Sequence, residues 1–154
     1  GPGSSRLVLA IDISGSTAEG MRVQKAIALD VLAQLGDENE VGVVAFNYQP
    51  YAVAEPRPLG ESRAGLEDAI RRLQSGGATD IASGLRGAEE MLGEERGTVI
   101  LISDGGDDST AVPAAANSLG RRGIRVIAVG VGERTSERRL REIAREHWGY
   151  EEPV

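Results

Sequence analysis

Residues 6–16 read RLVLAIDISGS: an apolar run from Leu7 to Ile11 that ends on an acid, Asp12, and opens into Ile13-Ser14-Gly15-Ser16. An unbroken apolar run, rather than strict alternation, is how a strand buried on both faces reads. Residues 21–35 follow at once with apolar positions at helical spacing. A buried strand feeding a helix is the first half of a βαβ unit, and it predicts a parallel sheet.

The rest of the chain extends that reading. Residues 40–46 (EVGVVAF) and 51–54 are two further strands, separated only by Asn47, Tyr48, Gln49 and Pro50. That connection is too short for a parallel crossover, so the pair is an antiparallel hairpin. Residues 61–73 carry Leu66, Ala69, Ile70 and Leu73 in a helical pattern, which Ser75-Gly76-Gly77-Ala78-Thr79-Asp80 breaks before a helix over 81–92. Residues 98–103 (TVILIS) are the most continuous apolar strand, read as central, and end in Asp104-Gly105-Gly106. A helix over 112–122 with Pro113 in its first turn, a strand over 125–131, and an amphipathic helix over 136–146 capped by Ser136 complete the pattern. Residues 148–154 are read as the start of a sixth strand. The expected fold is α/β: a doubly wound, mostly parallel Rossmann-like sheet of order 3-2-1-4-5 with room for a sixth strand. Strand 3 is antiparallel at the edge and helices cover both faces.

At 154 residues the chain fits one domain. Gly1-Pro2-Gly3-Ser4 reads as a cloning scar within a leader of residues 1–5, which makes residues 6–154 a single domain excised from a longer protein. With 40% hydrophobic but only 3% aromatic residues, the core must be built from Ala, Val, Leu and Ile, which favours α/β over a β-sandwich. The formal charge of -7, from 24 acidic against 17 basic residues with no basic block, argues against nucleic acid as a partner. With 0 cysteines there is no disulfide, thiolate metal site or Cys nucleophile to consider. That suits the cytosol without forbidding an extracellular home, so the compartment is left open. No apolar run approaches the roughly 20 residues needed to span a bilayer.

Ligands of such sheets bind at the carboxyl ends of the strands, where strand order reverses. There strand 1 delivers Asp12, Ser14 and Ser16, the loop before the third helix delivers Thr79 and Asp80, and the central strand delivers Asp104. Hydroxyls and carboxylates without nearby His or Cys form a hard-ligand set, matched to Mg²⁺, Mn²⁺ or Ca²⁺ and poor for zinc or copper. A cation held mainly by neutral hydroxyls keeps appreciable Lewis acidity and welcomes another anion.

Asp12-x-Ser14-x-Ser16, then Gly76-Gly77-x-Thr79, then Ser103-Asp104-Gly105 resembles the metal-ion-dependent adhesion site of von Willebrand factor type A domains. The helix opening Ile81-Ala82-Ser83-Gly84-Leu85 and the strand over 126–132 fall in the expected order, so the resemblance covers nearly the whole chain. It implies that Ser14 and Ser16 ligate the metal directly, Thr79 directly or through water according to state, and Asp12 and Asp104 largely through bound waters. It also implies a six-stranded sheet with one antiparallel edge strand. The expected cofactor is Mg²⁺, with Mn²⁺ or Ca²⁺ also suitable, and the expected partner is a protein presenting an exposed Glu or Asp to the open position. One departure is that the chain stops soon after the last clear helix, where the family usually adds a strand and a final helix.

Other readings compete. Taken alone, Asp12 as a helix cap with Ser14 and Ser16 as turn residues accounts for that loop as well as metal ligation does. Thr79 and Asp104 on separate strand-end loops weigh against coincidence. Asp80 is read as the cap of the third helix, bracing Thr79 from behind the ligands. Asp107 and Asp108 read as a solvated helix start, and His147, the one histidine, as a helix-end residue. Arg134, Arg138, Arg139, Arg141 and Arg145 alternate with glutamates as a salt-bridged surface. A metal-dependent phosphohydrolase would want a second acid two residues beyond Asp12, where Ser14 stands. Neither G-x-x-x-x-G-K-[ST] nor a G-x-G-x-x-G after strand 1 is present, so the chain is read as a non-enzyme, with a metal-free scaffold as the alternative.

Overall fold

Strand β1 (Arg6–Asp12) is buried along its whole length beyond Arg6, and among the described residues it lies in the middle of a five-stranded sheet. The computed structural model describes residues 6–14, 18–103 and 111–130. After β1 come α1 (Ala18–Gln34), β2 (Glu40–Phe46), β3 (Pro50–Pro58), α2 (Leu59–Arg71), α3 (Ile81–Leu92), β4 (Thr98–Ser103), α4 (Ala111–Arg121) and β5 (Arg125–Gly130). The sheet order is β3-β2-β1-β4-β5, parallel except for the antiparallel β2–β3 pair. The anticipated order and hairpin are therefore observed. The expected helix over 136–146 and the sixth strand over 148–154 lie outside the described residues, as does His147.

The two-residue period of a strand explains the layers. Along β1, Val8 and Ala10 join one core with Phe46, Ile81, Leu85 and Leu119, beneath α3 and α4. Leu7, Leu9 and Ile11 join the other core with Met21, Leu32, Leu59 and Ile70, beneath α1 and α2. β4 repeats the division, Val99 and Leu101 on one side and Ile100 and Ile102 on the other. Each fully buried Leu or Ile contributes about 1.5–3 kcal/mol, so both faces must be covered for the sheet to be stable.

Several boundaries differ from those expected. β3 runs from Pro50 to Pro58 instead of 51–54, because an edge strand buries little and so shows no apolar alternation. Its prolines are tolerated where one side of the strand has no neighbour, and register shifts between Val41 and Val44 absorb the irregularity. α1 starts at Ala18, three residues before the first apolar marker at Met21, and α2 starts at Leu59, directly after Pro58.

The single Phe of the chain, Phe46, is fully buried at the end of β2. Its ring lies so close to α3 that a Cβ on Gly84 would stand 2.4 Å from Phe46 Cδ1. Glycine there lets α3 approach the carboxyl end of the sheet. Among the described residues no helix is long and apolar enough to cross a membrane.

Candidate metal centre

Strand order reverses at β1: the chain runs outward through β2 and β3 on one side and returns to β4 and β5 on the other, so the crevice opens where β1 and β4 end. Asp12, the last residue of β1, is fully buried. Its Oδ1 accepts from the Ser14 amide at 2.8 Å and from the Ser14 hydroxyl. Its Oδ2 accepts from the Ser103 hydroxyl at 2.7 Å. β1 and β4 are in register through Ile11 and Ile102, which sets Asp12 beside Ser103 as the next residue of each strand.

Thr79 arrives from a different part of the chain. Its hydroxyl hydrogen-bonds the Ser14 hydroxyl, 65 residues away in sequence. The loop that carries it is tied down at both ends. The Gly76 amide donates to Ile13 O at 2.9 Å, Asn47 Nδ2 donates to Gly76 O at 2.9 Å, and the Asp80 amide donates to Asn47 O at 2.8 Å. Gly77 has φ 85°, a left-handed conformation suited to glycine, and a Cβ there would also press on Asn47 and Tyr48. Asp80 caps α3: its side chain accepts from the Ser83 amide at 3.4 Å, and the Ser83 hydroxyl returns a bond to Asp80 O at 2.9 Å. Arg86 reaches its carboxylate only at 3.9 Å, a loose pair that adds little.

Of the residues singled out from sequence, Asp12, Ser14 and Thr79 are brought together, and Asp80, next to Thr79 in sequence, caps the helix that follows. Ser16 and Asp104 lie outside the described residues. The sequence reading gave no role to two residues that organise this site. Ser103 enters the sequence reading only inside the motif piece Ser103-Asp104-Gly105, with no role of its own, although a lone hydroxyl closing TVILIS is a usable signal. Asn47 was read as a turn residue, yet it is buried and joins the β2 end to the Thr79 loop.

The donor set is chemically suited to a hard dication. Among the described residues, two hydroxyls and a carboxylate meet in a partly buried corner without imidazole or thiolate. No group of three or more His, Cys, Asp or Glu side chains occurs among the described residues, so the site there relies on hydroxyls rather than an acidic cluster.

A doubly wound sheet with polar side chains gathered at the carboxyl ends of β1 and β4 defines an α/β domain of the class whose ligands bind at that crevice. Residues 7–150 match the von Willebrand factor type A domain, and the chain belongs to that family. Domains of this family typically mediate protein–protein interaction. Among solved structures, the chain resembles an aerotolerance-related membrane protein from Bacteroides fragilis with multiple mutations to serines. The TM-score is 0.81 at 18% identity, covering 95% of this chain and 89% of that one. It also resembles proximal thread matrix protein 1 from the mussel byssus, in a form with a zinc-occupied MIDAS motif. There the TM-score is 0.68 at 23% identity, covering 95% of this chain but 39% of the mussel chain. The PilB minor pilin from Streptococcus sanguinis aligns with a TM-score of 0.69 at 14% identity, over 95% of this chain and 56% of that chain. The chain thus spans well under two thirds of the mussel and pilin proteins, and at these identities the likeness is one of fold.

Proposed function

We propose that the domain is a divalent-cation-dependent protein-binding module whose cation grips a carboxylate of the partner. Ser14, Ser16 and Thr79 are the direct ligands in this reading, Thr79 directly or through water. Asp12 and Asp104 act largely through bound water, and Asp80 braces Thr79. The observation that carries the proposal is the meeting of the Ser14 and Thr79 hydroxyls above a buried Asp12.

A dication held there would supply a Lewis-acidic centre able to take a Glu or Asp side chain of the partner. The protein's part is orientation. Asp12 holds Ser14 through Oδ1 and is itself held by Ser103, so the Ser14 hydroxyl is oriented before anything binds. Asn47 fixes the second loop in the same way. In a chain of net charge -7, an incoming acid is repelled without the cation, so the contact depends on it. The ligand chemistry favours Mg²⁺, with Mn²⁺ or Ca²⁺ as substitutes. The zinc-occupied site of the mussel protein makes Zn²⁺ a necessary fourth comparison.

A metal-free scaffold is the second reading, favoured by one observation: Asp12, Ser14, Ser103 and Thr79 already hydrogen-bond one another. Thermal melts in EDTA, Mg²⁺, Mn²⁺, Ca²⁺ and Zn²⁺ separate the two. A ligand bound only by the folded state adds about 2.7 kcal/mol at 100 times its Kd. A rise in Tm with metal supports the module, and identical melts in all five conditions support the scaffold.

A further inference from the structure

The β2–β3 hairpin carries a feature that the cation site does not use. Among the described residues three large apolar side chains stand exposed: Val23, Tyr48 at 59% and Tyr51 at 40%. The two tyrosines sit on this one hairpin, at the sheet edge where the hydroxyls of Ser14 and Thr79 meet. Gln49 joins them, its Nε2 donating to Tyr51 OH at 2.7 Å and to Tyr48 OH at 3.3 Å. With each phenol oxygen accepting from Gln49, its own hydrogen is left to donate outward.

The hairpin turn is braced by hydrogen bonds. The Asn47 amide donates to Gln49 O and the Gln49 amide donates to Asn47 Oδ1, each at 3.1 Å, while Asn47 Nδ2 ties the turn to Gly76 O. It also abuts the Thr79 loop, since a Cβ on Gly77 would lie 3.0 Å from Tyr48 Cδ1. Residues 41–54 contain no charged side chain, in a chain that is 27% charged.

We infer that Tyr48 and Tyr51 are a second anchor for the protein partner, receiving an uncharged aliphatic side chain next to the carboxylate that the cation holds. The inference rests on the cation-dependent reading of the site. Pre-ordered, solvent-exposed tyrosines supply large contact area at little entropic cost, which is why they dominate many interfaces. The hairpin's own stretch, residues 41–54, offers a Lys or Glu no countercharge, whereas an aliphatic side chain loses no hydration on packing against the phenol rings. The outward phenol hydrogens suit main-chain carbonyls of an extended segment. Specificity thus divides between the two: the cation reads the acid, and the hairpin reads its apolar neighbour.

The test uses three blocked peptides as probes, Gly-Leu-Glu-Leu-Gly, Gly-Ser-Glu-Ser-Gly and Gly-Leu-Gln-Leu-Gly, titrated in Mg²⁺ and followed by NMR. The leucine-flanked Glu peptide is expected to bind about fivefold tighter than the serine-flanked one, the scale of a modest interface anchor. Tyr48→Ala/Tyr51→Ala, and the milder Tyr51→Ser, should erase that advantage while Mn²⁺ affinity stays at the wild-type value. Equal binding of the two Glu peptides, a leucine advantage that survives in the double variant, impaired Mn²⁺ binding in both variants, or no leucine–Glu binding at all would each overturn the inference. If the Gln peptide binds as well as its Glu counterpart with the leucine advantage intact, the aromatic anchor stands and the carboxylate reading fails.

Discussion

The Ser103 hydroxyl donates 2.7 Å to Asp12 Oδ2 across the β1–β4 boundary, with both residues fully buried. Through this bond β4 holds the acid that in turn holds Ser14. Ser103→Ala removes the donor from a buried carboxylate, which costs about 1–3 kcal/mol of stability. Urea unfolding measures that loss, and Ser103→Thr should recover part of it by restoring a hydroxyl. Unchanged stability in Ser103→Ala would show that the bond is dispensable.

Asn47 is expected to matter for the cation although it is not among the proposed ligands. Asn47→Ala deletes the bond from Nδ2 to Gly76 O and the acceptor for the Gln49 amide. With Thr79 less firmly placed, cation affinity should fall about tenfold, the usual scale for outer-shell losses. Asn47→Asp should be no better, since it sets an anion against the Gly76 carbonyl. Calorimetric Mn²⁺ titration of both variants decides, and wild-type affinity in Asn47→Ala would remove this residue from the account.

Gly84→Ala tests the packing beneath the site. The new Cβ would collide with the Phe46 ring, and overpacking of this kind costs about 1–3 kcal/mol. Phe46→Leu costs stability alone but should relieve the clash, so the double variant is expected to be less destabilised than the sum of the two. Strict additivity in a denaturation cycle would show that α3 adjusts instead.

Thr79 separates ligation from charge. Thr79→Ala removes one hydroxyl of the Ser14 pair without altering net charge, and is expected to weaken cation binding while leaving the circular dichroism spectrum unchanged. Thr79→Ser keeps the oxygen and should stay near wild type. Equal affinity across all three proteins would place the cation elsewhere.

Much of the fold was legible because the evidence for it is written locally. The apolar runs over β1 and β4, the four-residue gap between Phe46 and Tyr51, and the glycine break before α3 each have one ready physical reading. β3 was only half legible, since a strand that buries little carries no pattern beyond its first residues. The gathering of Asp12, Ser14 and Thr79 followed from topology, as strand-end loops of a doubly wound sheet must converge. The supporting bonds were not legible in the same way. Whether Ser103 faces Asp12 depends on the β1–β4 register, and whether Asn47 reaches Gly76 depends on how the hairpin leans, neither of which is encoded in a short window.

The most direct test of the central claim is Mn²⁺ binding followed by electron paramagnetic resonance on four proteins: wild type, Ser14→Ala, Asp12→Ala and Asp104→Ala. The account predicts one saturable site per chain in the wild type, displaced by Mg²⁺, and its loss in all three variants while their circular dichroism spectra remain those of the folded domain. A wild-type chain that binds no Mn²⁺, or folded variants that bind it as tightly as the wild type, would contradict the account.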